Sequence, residues 1–271
     1  VYIEPVQNIA NASLAKVQFL KKSPVRYFVA SMLAGIFVGL GIVLIFSIGA
    51  PFAAVASPAV KILMGVSFGI ALTLVIMAGS ELFTGLNMIA LIGTVTKKIT
   101  LKDLLLLWVI SYIGNLAGSF LLAFMAENSG VLKNPAFYKF INEIVATKMH
   151  LPLWDLFYKA VLCNILVCIA VWMSFKLKDE TAKMVGIFWC LFAFISSGYE
   201  HSIANMTLLS IPLFGQHEAL VNWSGFIRNI GIVSLGNIVG GLLVGAAYSF
   251  ISLLPDNSIK ESVTVNAEAN K

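Results

Sequence analysis

The chain has 271 residues, 59% of them hydrophobic and only 11% charged, with a formal net charge of +5 at pH 7. Soluble globular domains carry roughly 25% charged residues, so the composition excludes a water-soluble domain and points to an integral membrane protein. No basic cluster is interleaved with aromatics, which sets aside a nucleic-acid partner and leaves the lipid bilayer as the partner of the basic flanks.

In chain order, the opening stretch "VYIEPVQNIA" lacks the basic region and small-residue cleavage site of a secretory signal, so no cleaved leader is expected there. Residues 5–22 start at Pro5, alternate apolar and polar positions at helical spacing and end in Lys21 and Lys22. They predict a basic amphipathic helix lying on the cytoplasmic surface, within an N-terminal segment 1–26. Residues 27–50, 104–126 and 229–255 contain no charge, and a helix needs roughly 20 apolar residues to cross the hydrocarbon core. Residues 62–96 carry one charge, Glu81, and are too long for one simple crossing. A fourth span is expected around 155–175, and a fifth from near Met184, interrupted at Glu200 and His201. The predicted fold is therefore all-α, with six membrane spans over 27–254, two of them broken. Residues 255–271 are polar and lack aromatics, and are expected to be disordered.

With the N-terminus inside, twelve lysines and arginines fall in cytoplasmic segments, among them Lys16, Lys21, Lys22 and Arg26. Six fall on the other side: Lys61, Lys133, Lys139, Lys148, Lys159 and Arg228. The positive-inside rule places both termini in the cytoplasm. Cys163, Cys168 and Cys190 form neither a CxxC nor a zinc pattern and are read as packing residues.

One half of the chain echoes the other. "GSELFTGLNM" (79–88) pairs with "GYEHSIANM" (198–206), and "GNLAGS" (114–119) with "GNIVGG" (236–241). The offsets are 119 and 122 residues. Each half, about 27–126 and 153–254, contains three crossings, so the halves insert in opposite senses. Inverted repeats with matching broken helices mark a membrane pathway, and unwound backbone at membrane depth is tolerated where it lines a cavity. The glycines of these motifs, with Asn115 and Asn237, are read chiefly as close-packing positions between helices.

At "AGSELFTGLNM", "NEIVATKMHLP", "CNILVCIAVWM", "SGYEHSIANM" and "GNIVGG" the chain resembles the formate/nitrite transporter family, over essentially residues 5–252. Within that family it is most similar to the hydrosulfide branch. The resemblance implies an aquaporin-like 3+3 inverted repeat and a homopentamer with one pore per protomer in the bacterial inner membrane. It also implies passage of small monovalent anions or their conjugate acids, as a transporter and not an enzyme, with no cofactor and no metal. Carried over by motif, it makes His201 the central pore histidine with Thr84 opposite, and Lys148 and Asn164 further pore positions. Phe68 and Phe194 become an outer apolar constriction, Leu72 and Leu82 an inner one. Leu86 stands where some members carry a polar residue.

The residues themselves leave several readings open. His201 reads as a pore-lining donor or proton exchanger, or as a core histidine satisfied by the broken loop; as a metal ligand it lacks company, because His150 and His217 fall in predicted loops. Pro135 starts a helix that puts Phe137, Ile141, Ile144 and Lys148 on one face, so Lys148 is either an anion gatherer or a solvated lysine. Thr84 can donate to an anion or cap the following half-helix. Glu81 and Glu200 are expected to accept hydrogen bonds from unwound backbone, with Asn87 and Asn205 doing similar work at the loop exits. A bare anion cannot cheaply enter a ring of Phe and Leu, so an anion that takes a proton at the mouth and crosses as the neutral acid is the expected route. An aquaporin-like channel for neutral solutes is the rival, but "NPA" occurs once, at 134–136, without a partner. An intramembrane enzyme would need paired catalytic groups, and the chain has neither an HExxH pattern nor a second histidine in its predicted membrane segments.

Overall fold

The computed structural model of the chain describes residues 2–132 and 134–252. The expectations for Lys133 and for the 255–271 tail fall outside the described residues, among which no strand forms.

Helix α1, Ile3–Lys22, buries Val6, Ile9, Ala10, Val17 and Leu20 along one face and ends in the expected pair Lys21 and Lys22. Pro24 then opens α2, Pro24–Ala54, where its missing N–H costs nothing. The first broken segment follows as α3 (Val60–Ser67), α4 (Gly69–Thr73), a π-helical stretch (Leu74–Gly79), a gap, and α5 (Phe83–Val95). Helix α6, Leu101–Asn128, starts at a capping box in which Thr100 and Asp103 bond each other's backbone N–H. Helix α7, Pro135–His150, is capped by Asn134, whose Oδ1 accepts from Ala136 N at 2.9 Å. Then come α8 (Leu153–Lys176), α9 (Glu180–Ser197), α10 (Ser202–Phe214) and α11 (Trp223–Ser252). Helix α9 begins four residues before the expected Met184, because Asp179 accepts from Ala182 N at 2.7 Å and caps it there. The π-helical stretch has no forewarning in the apolar pattern.

Among the described residues, six segments are long and apolar enough to cross a membrane: α2, Val60–Gly79, α6, α8, α9 and α11. The short apolar helices α5 and α10 complete the two broken segments. The halves mirror one another. Helix α2 packs along α6 as α8 packs along α11, while α1 lies against α5 and α7 against α2 and α10. The close approaches match too: a Cβ on Gly118 would stand 2.0 Å from Met32 O, and one on Gly240 2.4 Å from Val161 O. Small residues are what let these backbones touch. Tyr138 of α7, outside the spans, donates to Glu127 at the end of α6, and burial together with that carboxylate pushes the phenol up to about 12.

Each break begins at a glycine in the left-handed region, Gly79 at φ +85° and Gly198 at φ +72°. No atom lies within 4 Å of a Cβ built at either, so backbone conformation alone demands glycine there. Alanine at either site should lower stability by about 1–2 kcal/mol. Asparagine, which tolerates this region better, should cost less. Thermal denaturation of detergent-solubilised protein, followed by loss of the monodisperse gel-filtration peak, measures both.

Candidate functional site

The site is built on the two gaps, residues 80–82 and 198–201. Unwinding a helix frees backbone groups that cannot be left unpaired at membrane depth. Two asparagines take them up in the same way. Asn115 Oδ1 accepts from Phe83 N at 2.9 Å, and its Nδ2 donates to Ser31 O at 2.7 Å and Glu81 O at 2.9 Å. Asn237 Oδ1 accepts from Ser202 N at 2.8 Å, and its Nδ2 donates to Ala160 O at 2.8 Å and Glu200 O at 3.0 Å. Both are fully buried. The expectation that they chiefly pack is thus corrected: each uses its donor and acceptor to splice a broken loop to two neighbouring strands of chain. The backbone adds one bond on each side, Glu81 N to Ala30 O at 3.2 Å and Glu200 N to Lys159 O at 3.3 Å.

The glutamates do a different job from the one expected. Among the described residues their carboxylates accept from side chains and not from unwound backbone. Glu81 takes Lys16 Nζ of α1 at 2.7 and 2.8 Å, with the Tyr27 hydroxyl at 3.4 Å. Glu200 takes Lys148 Nζ of α7 at 2.7 Å and Asn205 Nδ2 at 2.6 Å. Each gap therefore presents an acidic group neutralised by a lysine from an amphipathic helix. From the sequence, Lys148 stands out, whereas Lys16 reads only as a cytoplasmic charge. A signal was available: Ile9, Ser13, Lys16 and Leu20 share the spacing of Phe137, Ile141, Ile144 and Lys148. Asn87 and Asn205 do not play matching parts. Asn205 holds Glu200 and also donates to Asn229 Oδ1 at 2.9 Å, whereas Asn87 Oδ1 accepts from Asn164 at 3.2 Å.

Between the gaps, Thr84 Oγ1 lies 2.9 Å from His201 Nε2. His201 is also the N-cap of α10, its Nδ1 accepting from Ala204 N at 3.1 Å. A nitrogen that accepts an N–H bears no proton, so this bond assigns the ring hydrogen to Nε2, which donates to Thr84. Thr84 sits in the first turn of α5 and caps nothing; the N-cap there is Leu82, without a side-chain bond. Leu82 and His201 are 119 residues apart and occupy equivalent positions with near-equal backbone angles, φ −95°, ψ 121° and φ −116°, ψ 120°. Asn164 stands behind Thr84, its Nδ2 donating to Thr84 O at 3.2 Å and Asn237 O at 2.6 Å.

Three spaces follow one another through the protein. A vestibule of about 340 Å³ beside α1 is lined by Lys16, Ser80, Glu81 and Ser174 among apolar side chains, and Leu72 and Leu82 close its inner end. A second, of about 410 Å³ beside α7, holds Lys148 and Asn205 and is closed by Phe194 and His201. Leu72, Leu82, Phe194 and His201 also wall a central chamber of only about 10 Å³, together with Phe68 and Val167. That is room for about one water molecule. Phe68 and Phe194 meet edge to face with centroids 5.4 Å apart, and Phe194 stacks near His201 at 6.1 Å. The four apolar side chains named from the sequence thus bracket one small chamber, in pairs, with His201 as its polar wall.

The family model described as Formate/nitrite transporter matches residues 4–251. The chain is 40% identical over 244 residues to the nitrite transporter NirC of Salmonella typhimurium, covering 89% of each. Among solved structures it is similar to an FNT family ion channel, with a TM-score of 0.86, 37% identity and coverage of 91% of this chain and 98% of that one. It is also similar to a pentameric formate channel with formate bound, with a TM-score of 0.74, 31% identity and coverage of 86% and 99%.

Proposed function

Because the chain belongs to the formate/nitrite transporter family, we propose that it forms a homopentameric membrane channel, each protomer passing small monovalent anions of weak acids. Hydrosulfide is the substrate proposed first, with formate and nitrite beside it. The observation that carries the reading is a water-sized apolar chamber with one polar wall, set between two vestibules that each hold a lysine on a glutamate. The positive-inside rule puts the α1 vestibule in the cytoplasm and the α7 vestibule outside the bacterial inner membrane.

An anion entering a vestibule meets the ammonium of Lys148 or Lys16 and competes with the glutamate for it. As water is stripped away its own affinity for a proton rises. An ion this size faces about 20 kcal/mol of idealised solvation cost on entering a low-dielectric medium, which the chamber's leucines and phenylalanines do not repay. The neutral acid escapes that cost and crosses, regaining its charge in the far vestibule. His201 acts here as a neutral hydrogen-bonding wall. Its Nδ1 is committed to Ala204 N–H, so an imidazolium would have to give up the cap of α10. His201 is the polar group that meets the permeant; Thr84 accepts its Nε2–H and lines none of the three spaces, so it holds the ring.

Uptake into proteoliposomes at several external pH values, comparing hydrosulfide, formate and nitrite, tests the function. Flux should require the anion and rise as external pH is lowered, with hydrosulfide fastest. Water or glycerol flux without any anion would overturn the reading in favour of a neutral-solute channel.

A further inference from the structure

The two vestibules differ in a way that a small anion does not require. The α1 vestibule has polar lining at Ser80, Glu81 and Ser174. The α7 vestibule is larger; it too has polar lining, at Ser57, Lys148 and Asn205, but the greater part of its wall is apolar, with Ile42, Ile45, Phe46, Phe140, Ile144 and Leu208. A hydrated formate or hydrosulfide gains nothing from such a wall, whereas about 410 Å³ of apolar space with a few polar groups is the form of a small-molecule site. Two of the lining rings, Phe46 and Phe140, lie with centroids 5.3 Å apart, inclined at 38°. Lys61 lines the same space and is exposed. Its ammonium forms no ion pair among the described residues, while that of Lys148 is held by Glu200.

We propose that the α7 vestibule binds aromatic monocarboxylates, with the ring against Phe46 and Phe140 and the carboxylate on Lys61, and that such acids occupy the channel without passing it. Charge complementarity at the mouth and apolar complementarity within select an amphipathic anion over a purely polar or a purely apolar one. Passage is barred by size: from about 10 Å³ the chamber beyond Phe194 has to widen only slightly for a permeant of one to three heavy atoms, and far more for a phenyl ring. Binding requires only the cavity; the transport reading enters through the flux measurement alone.

Phenylacetate and acetate are the probes. The native cysteines are buried, so Ser57→Cys, in the vestibule lining, offers a thiol whose reaction with a charged, membrane-impermeant maleimide can be timed on the intact protein. Phenylacetate should slow labelling at concentrations about 10- to 100-fold below those acetate needs, the gain of burying a phenyl group. Ile144→Gln or Lys61→Glu, each combined with Ser57→Cys, should weaken that protection several-fold. Lys61 is exposed, so its variant keeps the test open if Ile144→Gln fails to fold. Equal protection by the two acids, absence of protection, or protection unchanged in both variants would overturn the site. In liposomes, phenylacetate added on the α7 side should inhibit formate flux and not accumulate inside; accumulation would overturn its exclusion. Protection without inhibition would support the site and count against this vestibule lying on the transport path.

Discussion

Lys148→Ala should cut anion flux at least tenfold and also destabilise the protein. The two effects have different origins and can be separated. On the proposed function Lys148, one of two ammonium groups lining the α7 vestibule, gathers anions for the chamber, and its loss removes that attraction. It also leaves Glu200, with a side chain only 3% exposed, without its ion-pair partner. Removing one member of a buried pair costs about 3–5 kcal/mol, because the remaining charge is uncompensated. The partial exposure of Lys148, 19%, puts the expected loss at or below the low end of that range. In the double variant Lys148→Ala/Glu200→Gln the amide keeps an acceptor for Asn205 and carries no stranded charge. Thermal stability should then recover most of the loss while flux stays low. If the double variant regains flux as well, Lys148 serves only to neutralise Glu200.

Asn237→Asp should be among the most damaging single changes in the chain. It preserves shape and the acceptor that receives Ser202 N–H, and replaces a two-proton donor by a carboxylate oxygen. That oxygen would face Ala160 O and Glu200 O, which lie 2.8 and 3.0 Å from the present nitrogen. Two buried carbonyls lose their donor, at about 1–3 kcal/mol each, and lone pairs are set against lone pairs. The expected result is loss of folded protein, or a rearranged α10 start that moves His201 off Thr84 and abolishes flux. Asn115→Asp should do the same to the other half. The check is expression and gel-filtration behaviour of each variant, with flux measured where protein survives. Near-normal transport by both would mean that the loops hold their form without these bonds.

Much of the fold was legible because membrane spans write themselves as long uncharged runs, and because each break is announced by a Gly-x-Glu motif, once in each half. The repeat also makes the two halves insert in opposite senses, and the family resemblance sets Thr84 opposite His201. What stayed hidden depends on which groups meet across the fold. Asn115 and Asn237 sit in glycine-rich motifs that read as packing, and only the arrival of the broken loops beside them shows six hydrogen bonds. Lys16 was counted for its charge and not for its face. Residues near in sequence suggested that the glutamates bind backbone, but lysines from α1 and α7 reach them first. The ring hydrogen of His201 is decided by Ala204 N–H, a contact of its own helix cap that composition cannot express.

The equivalence of Leu82 and His201 has a kinetic consequence. The repeat sets these two residues at equivalent points on the two sides of the chamber, and only one of the pair can donate a hydrogen bond. A solute arriving from the α7 side reaches the donor before the dry ring of Leu72 and Leu82; from the α1 side the order is reversed. The free-energy profile is therefore lopsided. A passive pore with such a profile cannot pump, since at equal concentrations the opposed fluxes must cancel. It can saturate at different concentrations from its two faces, with the maximal rates differing in compensation. A channel built from two matching halves would then show distinct half-saturation constants for influx and efflux.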